Sequence, residues 1–469
     1  MKKPVNKSIL IGNGININFG GNAYTNNYII KRILFNAYAN RYDPLFNNEI
    51  SGNDIAFIFK KLAIWANDIS GGKYDALIPD DEKPILEDFK RRYNWKLSHY
   101  YEVGLEDWLF ILHVYFLKYP GTADNWSAAK QCFERMMLDA IWNDGDIQKL
   151  YKTMGKPVKR WLLEFSKIFT LNYDNNIENL IKHQHPVFHL HGDFCTPANS
   201  ENPQTVMGYI RGNCGKNVVV PKFEHCFCNA LFDFDGKHKY DIAYAFEKSA
   251  EVLQNLEKSD TPPRGLPAQI EDLLLLHKEH PELNFGSNYH FTEFRELTGE
   301  LHIIGMSPNN DSHIFKLIDE SNIENIVFYY HSECEAKIKL PIHQKVEYRS
   351  AKELWKRLDA SPKQYNCNYP IPMSEKVKKL FEVFNLLSGD SVSEDEIIKC
   401  ANTIPKFKKD ELCKEVMDEM KTQQELGAPI DEEDQQRQFR EISRIALRNG
   451  VLPSALYLHV IMSMNASKE

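Results

Sequence analysis

The chain has 469 residues, 43% of them hydrophobic and 26% charged, with a formal net charge of −8. That length exceeds one ordinary compact domain, and the apolar share suffices for a sizeable core. The acidic balance argues against a general nucleic-acid coat or a polybasic membrane binder, and the local run Lys90-Arg91-Arg92 reads as a solvated helix face.

Residues 7–11 read as a first buried strand, followed by a helix over 24–39. From about 50 to 165 the pattern is helical, and its aromatic and aliphatic stripes predict core packing rather than a cofactor box. Strand character returns at 167–171 and 187–190, and 217–220 is a short candidate strand stopped by Pro221. Residues 232 to about 295 read as a polar helical insertion, broken at Pro262-Pro263-Arg264-Gly265 and near Phe285-Gly286-Ser287. Two further strands follow at 301–304 and 326–330, with a helix at about 313–321 between them, and Ser350 caps a helix through Trp355.

Strand and helix in alternation predict an α/β fold, a Rossmann-like parallel sheet with large helical insertions at about 50–165 and 229–298, spanning 1–359. Residues 360–373, with Pro362, Pro370 and Pro372, read as a linker. Residues 374–469 read as an α-helical C-terminal domain for oligomer or partner contacts. In it Ser391 or Ser393 caps one helix, and Asp431, Glu432 and Glu433 suit the first turn of another. There is no signal-peptide core and no run of about 18 apolar residues, so a cytoplasmic protein without membrane contact is expected. Nine scattered cysteines fit reduced thiols there. Cys195, Cys214, His225, Cys226 and Cys228 lie close in sequence but lack the paired C-x-x-C knuckles of a zinc ribbon, so no metal is expected.

Three segments carry the chemistry. Each follows an apolar run and ends it in small or polar residues, as a parallel sheet presents its strand ends to a nucleotide. In the first, Gly12 and Gly14 let the backbone turn sharply so that its N–H groups can face phosphate oxygens. Ile17 stands where a dehydrogenase fingerprint requires glycine, so hydride transfer is excluded. In the second, Asn172 offers an amide donor and acceptor to the crevice, and Asp174 either binds a ligand or caps the next helix. His189 and His191 alternate on one strand and so face one side, either as a metal pair or as one base and one structural ring. His191, before Gly192, is better placed as a general base. In the third, Gly305 permits close approach and Ser307 can bond a ribose hydroxyl, while Asp311 either belongs to the site or caps the following helix.

The order and spacing of these residues resemble the sirtuin-like superfamily of NAD-binding domains, in particular the bacterial sirtuin-like defence proteins and the related AbiH abortive-infection family. Gly12, Gly14 and Gly20 match the opening, with Asn13 and Asn16 in place of alanine and serine. Thr170, Asn172 and Asp174 match T-x-N-x-D, His191 and Gly192 the catalytic H-G, and Gly305 with Ser307 the later G-x-S. The resemblance covers about 5–355. It implies an antiphage effector that hydrolyses NAD to ADP-ribose and nicotinamide through an oxocarbenium-like state. His191 is then the base and Asn172 positions water or the nicotinamide ribose, with Asp174 beside the nicotinamide pocket. Gly12, Asn13, Gly14 and Asn16 line the phosphates and ribose, with Gly305 and Ser307 on the adenosine side. The sirtuin four-cysteine zinc module is missing at its spacing, which disfavours deacetylation. Regulation through a homo-oligomer, a second defence protein or a phage-derived trigger is expected. The alternative is a sensing module that binds NAD or ADP-ribose without cleavage and controls a partner.

Overall fold

The computed structural model describes residues 6–94, 97, 100–120, 126–213, 219–258, 267–286, 288–307, 311–361, 379, 381–385, 392–402, 404, 411–418 and 432–466. Its framework is a six-stranded, all-parallel sheet built from β1 (Lys7–Ile11), β2 (Lys167–Thr170), β3 (Val187–His189), β4 (Thr298–Ile304), β5 (Asn322–Tyr330) and β6 (Lys345–Ser350). The spatial order is β3-β2-β1-β4-β5-β6. This is a Rossmann-like α/β arrangement, in which the strand order reverses between β1 and β4 and opens a crevice beyond their carboxyl ends. Residues of β1 stand between both neighbours: Ile9 pairs with Ile168 on one side and His302 on the other. Covered on both faces, the inner strands are continuous apolar runs, which is why they were readable from sequence.

β6 was not expected. Its residues alternate between half-buried Val346 and Tyr348 and exposed Lys345, Glu347 and Arg349. Charged side chains of this kind suit a sheet edge, where they discourage pairing with another chain. Ser350 then caps the helix Ala351–Arg357 by accepting from the Glu353 N–H at 3.3 Å, as predicted. Of the candidate strand at 217–220, residues 217 and 218 lie outside the described residues and 219–220 form no strand; the linker at 360–373 falls largely outside the described residues, as do Ser391 and Asp431. Ser393 does accept from the Glu396 N–H, at 3.4 Å.

Two compact units divide the chain. One comprises Met1–Ile15 and Asp144–Ser361, the other Asn16–Asn143 and Pro362–Glu469. The first carries the sheet. Its core joins Leu10, Phe169, Leu301, Ile303 and Phe328 of the strands to Ile314, Leu317 and Ile318 of the helix Ser312–Glu320. The short helix Phe291–Arg295 adds Phe291 and Phe294, both fully buried, so the segment expected to be a polar insertion ends inside the core. Phe294 meets Phe169 edge-on, with ring centroids 4.9 Å apart.

The second unit is helical. The helix Gly52–Ser70 starts with a capping box, in which Ser51 accepts from Asp54 N–H and Asp54 accepts from Ser51 N–H. Residues 16–143 belong with the C-terminal segment because buried groups tie them together. Arg32 donates to the Ala140 carbonyl at 3.0 Å and to the Leu447 carbonyl at 3.1 Å, and Leu447 packs on Tyr28 and Phe35. A further cluster in this unit unites Phe381, Ile397, Val416, Ile445 and Leu456. Of the run Lys90-Arg91-Arg92, expected as a solvated helix face, Arg91 is exposed, while Lys90 and Arg92 are half-buried and paired: Lys90 reaches Asp75 at 2.6 Å, and Arg92 forks onto Asp107. Among the described residues, no helix is long and apolar enough to cross a membrane.

Candidate functional site

At the sheet reversal the carboxyl ends of β1 and β4 are joined by a crossing of two main-chain segments. The Gly12 N–H donates to Ile304 O and the Gly14 N–H to Gly305 O, each at 2.8 Å, while Ile15 N–H turns back to Gly12 O at 3.2 Å. Gly305 sits at φ +73°, and a Cβ placed on Gly12 would stand 2.6 Å from the Gly305 carbonyl oxygen. The glycines are therefore required by backbone contact between the β1 and β4 ends. This corrects the sequence reading in one respect: the Gly12 and Gly14 amides are already donated within the protein and do not face a phosphate. Asn13 is exposed on the intervening turn, Asn16 is buried in the helix Gly14–Gly20, and Ser307 is exposed beyond β4.

Asn172 follows β2 and is buried. Its side-chain amide donates to Gly12 O at 3.4 Å, and its own N–H is held by Thr170 Oγ1 at 3.0 Å. The second motif segment is thus tied to the first. Asp174 is engaged locally: Oδ1 accepts from the Asn176 N–H at 3.1 Å and from Asn176 Nδ2 at 2.6 Å, just ahead of the helix Asn176–Ile181, whose N-cap position is Asn175.

The two histidines part company. β3 ends at His189, and the chain turns before His191, so their rings do not share a partner. His189 donates from Nδ1 to Asn172 O at 2.9 Å and faces Glu178 Oε1 from Nε2 at 2.6 Å. Burial alone would lower its proton affinity, but the hydrogen bond and charge of Glu178 outweigh it and hold the ring above its ordinary value. His189 has a structural role: it fixes the Asn172 main chain.

His191 instead meets His313 of the helix Ser312–Glu320, Nε2 to Nε2 at 2.8 Å. The ring planes lie 19° apart with centroids at 5.0 Å, so the nitrogens point at each other and share one N–H···N bond. Burial first, then the charge of Lys239, push both rings well below the ordinary histidine range, and His313 adds to the effect on His191. Both are neutral near pH 7, the form that accepts a proton. The Leu231 N–H holds the His191 carbonyl at 2.7 Å.

Asp311 completes the group. It opens the helix Ser312–Glu320 with its carbonyl but makes no side-chain cap, so the capping alternative is not met. Its largely buried carboxylate stands 3.9 Å from Nζ of Lys239, which is fully buried on the helix Gly236–Glu257. Burial raises the Asp311 pKa, opposed by Lys239. His191, His313 and Asp311 each offer a donor atom, all within 4.8 Å of one another. His313 and Lys239 escaped the sequence reading; the only local signal was Asp311, two residues before His313.

The histidine shifts have opposite consequences for stability. His189, raised, contributes stability fully present below 6.5 and lost as pH rises through its folded value; His191 and His313, lowered, contribute stability present above 6.5 and lost as pH falls. Glu178→Gln is therefore expected to remove the alkaline loss and leave the acid loss, read as melting temperature against pH.

Cys226 and Cys228 are buried and Cys195 is exposed, while Cys214 lies outside the described residues. No family model matches the chain, and no curated protein or solved structure gives a significant match to it.

Proposed function

We propose that this chain is a sirtuin-like NAD hydrolase of antiphage defence, cleaving NAD to nicotinamide and ADP-ribose. The observation that supports this reading is convergence. Asn172 reaches the Gly12 carbonyl, His189 holds the Asn172 carbonyl, and Gly12 and Gly14 cross Gly305, all at strand ends flanking the sheet reversal. That is where an open parallel sheet accepts a nucleotide.

In the proposed step the glycosidic C–N bond breaks and its electron pair passes to the nicotinamide nitrogen, discharging the pyridinium. Water adds to the ribose carbon and gives its proton to neutral His191, with His313 sharing the proton through the N–H···N bond. A weak base suffices because the oxocarbenium-like centre is strongly electrophilic. Asn172 orients the water or the ribose hydroxyls. The exposed Asn13 and Ser307, with Gly305, line the remainder, and the C-terminal helices serve self-assembly or a partner protein that holds the activity in check. No membrane or nucleic-acid partner is invoked.

Incubating the full-length protein with NAD, alone and with phage lysate as trigger, tests the reading. Release of nicotinamide together with ADP-ribose is expected. Calorimetric binding of NAD without product would favour the sensing module instead, and neither binding nor turnover would end both readings.

A further inference from the structure

We propose that His191, His313 and Asp311 form a binding site for a divalent transition-metal ion. Two imidazoles and one carboxylate are the ligand types that first-row ions such as Zn²⁺, Co²⁺ and Fe²⁺ share. Here they come from two separate chain segments and converge with all donor atoms within 4.8 Å.

Three further observations support a metal. The Asp311 carboxylate sits where a helix cap belongs yet bonds none of that helix's N–H groups, so its lone pairs are aimed elsewhere. Its only partner among the described residues is Lys239 at 3.9 Å, too long for a hydrogen bond. The two Nε2 atoms stand 2.8 Å apart. Cis donors of an octahedral ion lie about 3.0 Å apart and those of a tetrahedral ion about 3.4 Å, so an opening of a few tenths of an ångström admits either. Binding replaces the N–H···N bond, and the ring that carried its proton on Nε2 shifts it to Nδ1, so no net charge changes on the histidines.

Lys239 opposes the ion. Fully buried and near the carboxylate, it supplies the balancing positive charge when no metal is bound. A cation entering the cluster must displace that charge or work against it, which makes affinity tunable through one residue. On the hydrolase reading, in which His191 is the base, a bound ion withdraws its ring from water, so zinc holds the enzyme off.

The test uses the full-length protein stripped with chelator and titrated with Co²⁺, then Zn²⁺, in the absence of NAD. One equivalent of Co²⁺ per chain is expected, with visible d–d absorption bleached by Zn²⁺ and a rise in melting temperature. His313→Gln and Asp311→Asn should each weaken binding at least ~10-fold. Lys239→Met should tighten it about 10-fold or more, a gain that a misfolded variant cannot produce. Absence of stoichiometric binding, binding unchanged in His313→Gln, or weaker binding in Lys239→Met would overturn the proposal. Because no NAD is present, its failure is separate from failure of the hydrolase reading.

Discussion

Gly305→Ala is expected to lower the stability of the sheet-bearing unit by about 3–5 kcal/mol. Two costs combine. At φ +73° an L-residue is disfavoured by roughly 1–2 kcal/mol. The added Cβ would also stand 2.8 Å from Gly12 O and 2.9 Å from Ile15 N. Both are main-chain atoms fixed by hydrogen bonds and cannot rotate away as a side-chain tip would. Relief requires the β1 and β4 ends to separate, which breaks the Gly12–Ile304 and Gly14–Gly305 bonds. Gly212 is the control, since it lies in the helix Val206–Asn213 with nothing within 4 Å of an added Cβ. Gly212→Ala should be neutral or stabilise by about 0.5–1 kcal/mol. Denaturant unfolding of the two variants checks the pair; equal midpoints would mean the crossing is not as described.

His191→Ala is expected to slow nicotinamide release by about 10²–10⁴-fold while leaving NAD affinity within a few-fold. The ring acts on the proton of the attacking water rather than holding the dinucleotide, so the loss belongs in kcat and not in KM. The wild-type pH profile carries a second signature. Burial, Lys239 and His313 keep His191 neutral well below 6.5, so the rate should be flat across neutral pH and fall only in acid. Rapid-quench assays of nicotinamide at a series of pH values read both. An acid limb centred at or above 6.5, or an unaffected variant, would remove His191 from the chemistry.

The inner sheet was legible because burial on both faces leaves nearly continuous apolar runs, as in Ile9-Leu10-Ile11 and in Leu301–Ile304, where His302 is the one polar residue. β6 was not, since an edge strand keeps only every second residue half-buried and its charged partners read as loop. Gly12, Gly14 and Gly305 were visible as points of close approach, but sequence does not say what approaches; the answer is another strand end. His189 and His191 were expected to face one side because alternation was carried past the end of β3, where the chain turns. The partners that define each ring, Glu178 for one and His313 for the other, come from elsewhere in the chain, His313 being 122 residues away. Long-range contacts of that kind leave no periodic trace. Lys239 lay hidden for the same reason, inside a segment whose composition is that of a solvated helix.

The most direct measurement is a crystal structure of the full-length His191→Ala protein soaked briefly with NAD, in which cleavage is slowed. The account predicts the dinucleotide across the carboxyl ends of β1 and β4, with the nicotinamide ribose between Asn172 and position 191 and the adenosine toward Ser307. NAD bound elsewhere, or no NAD bound at millimolar concentration, would contradict it.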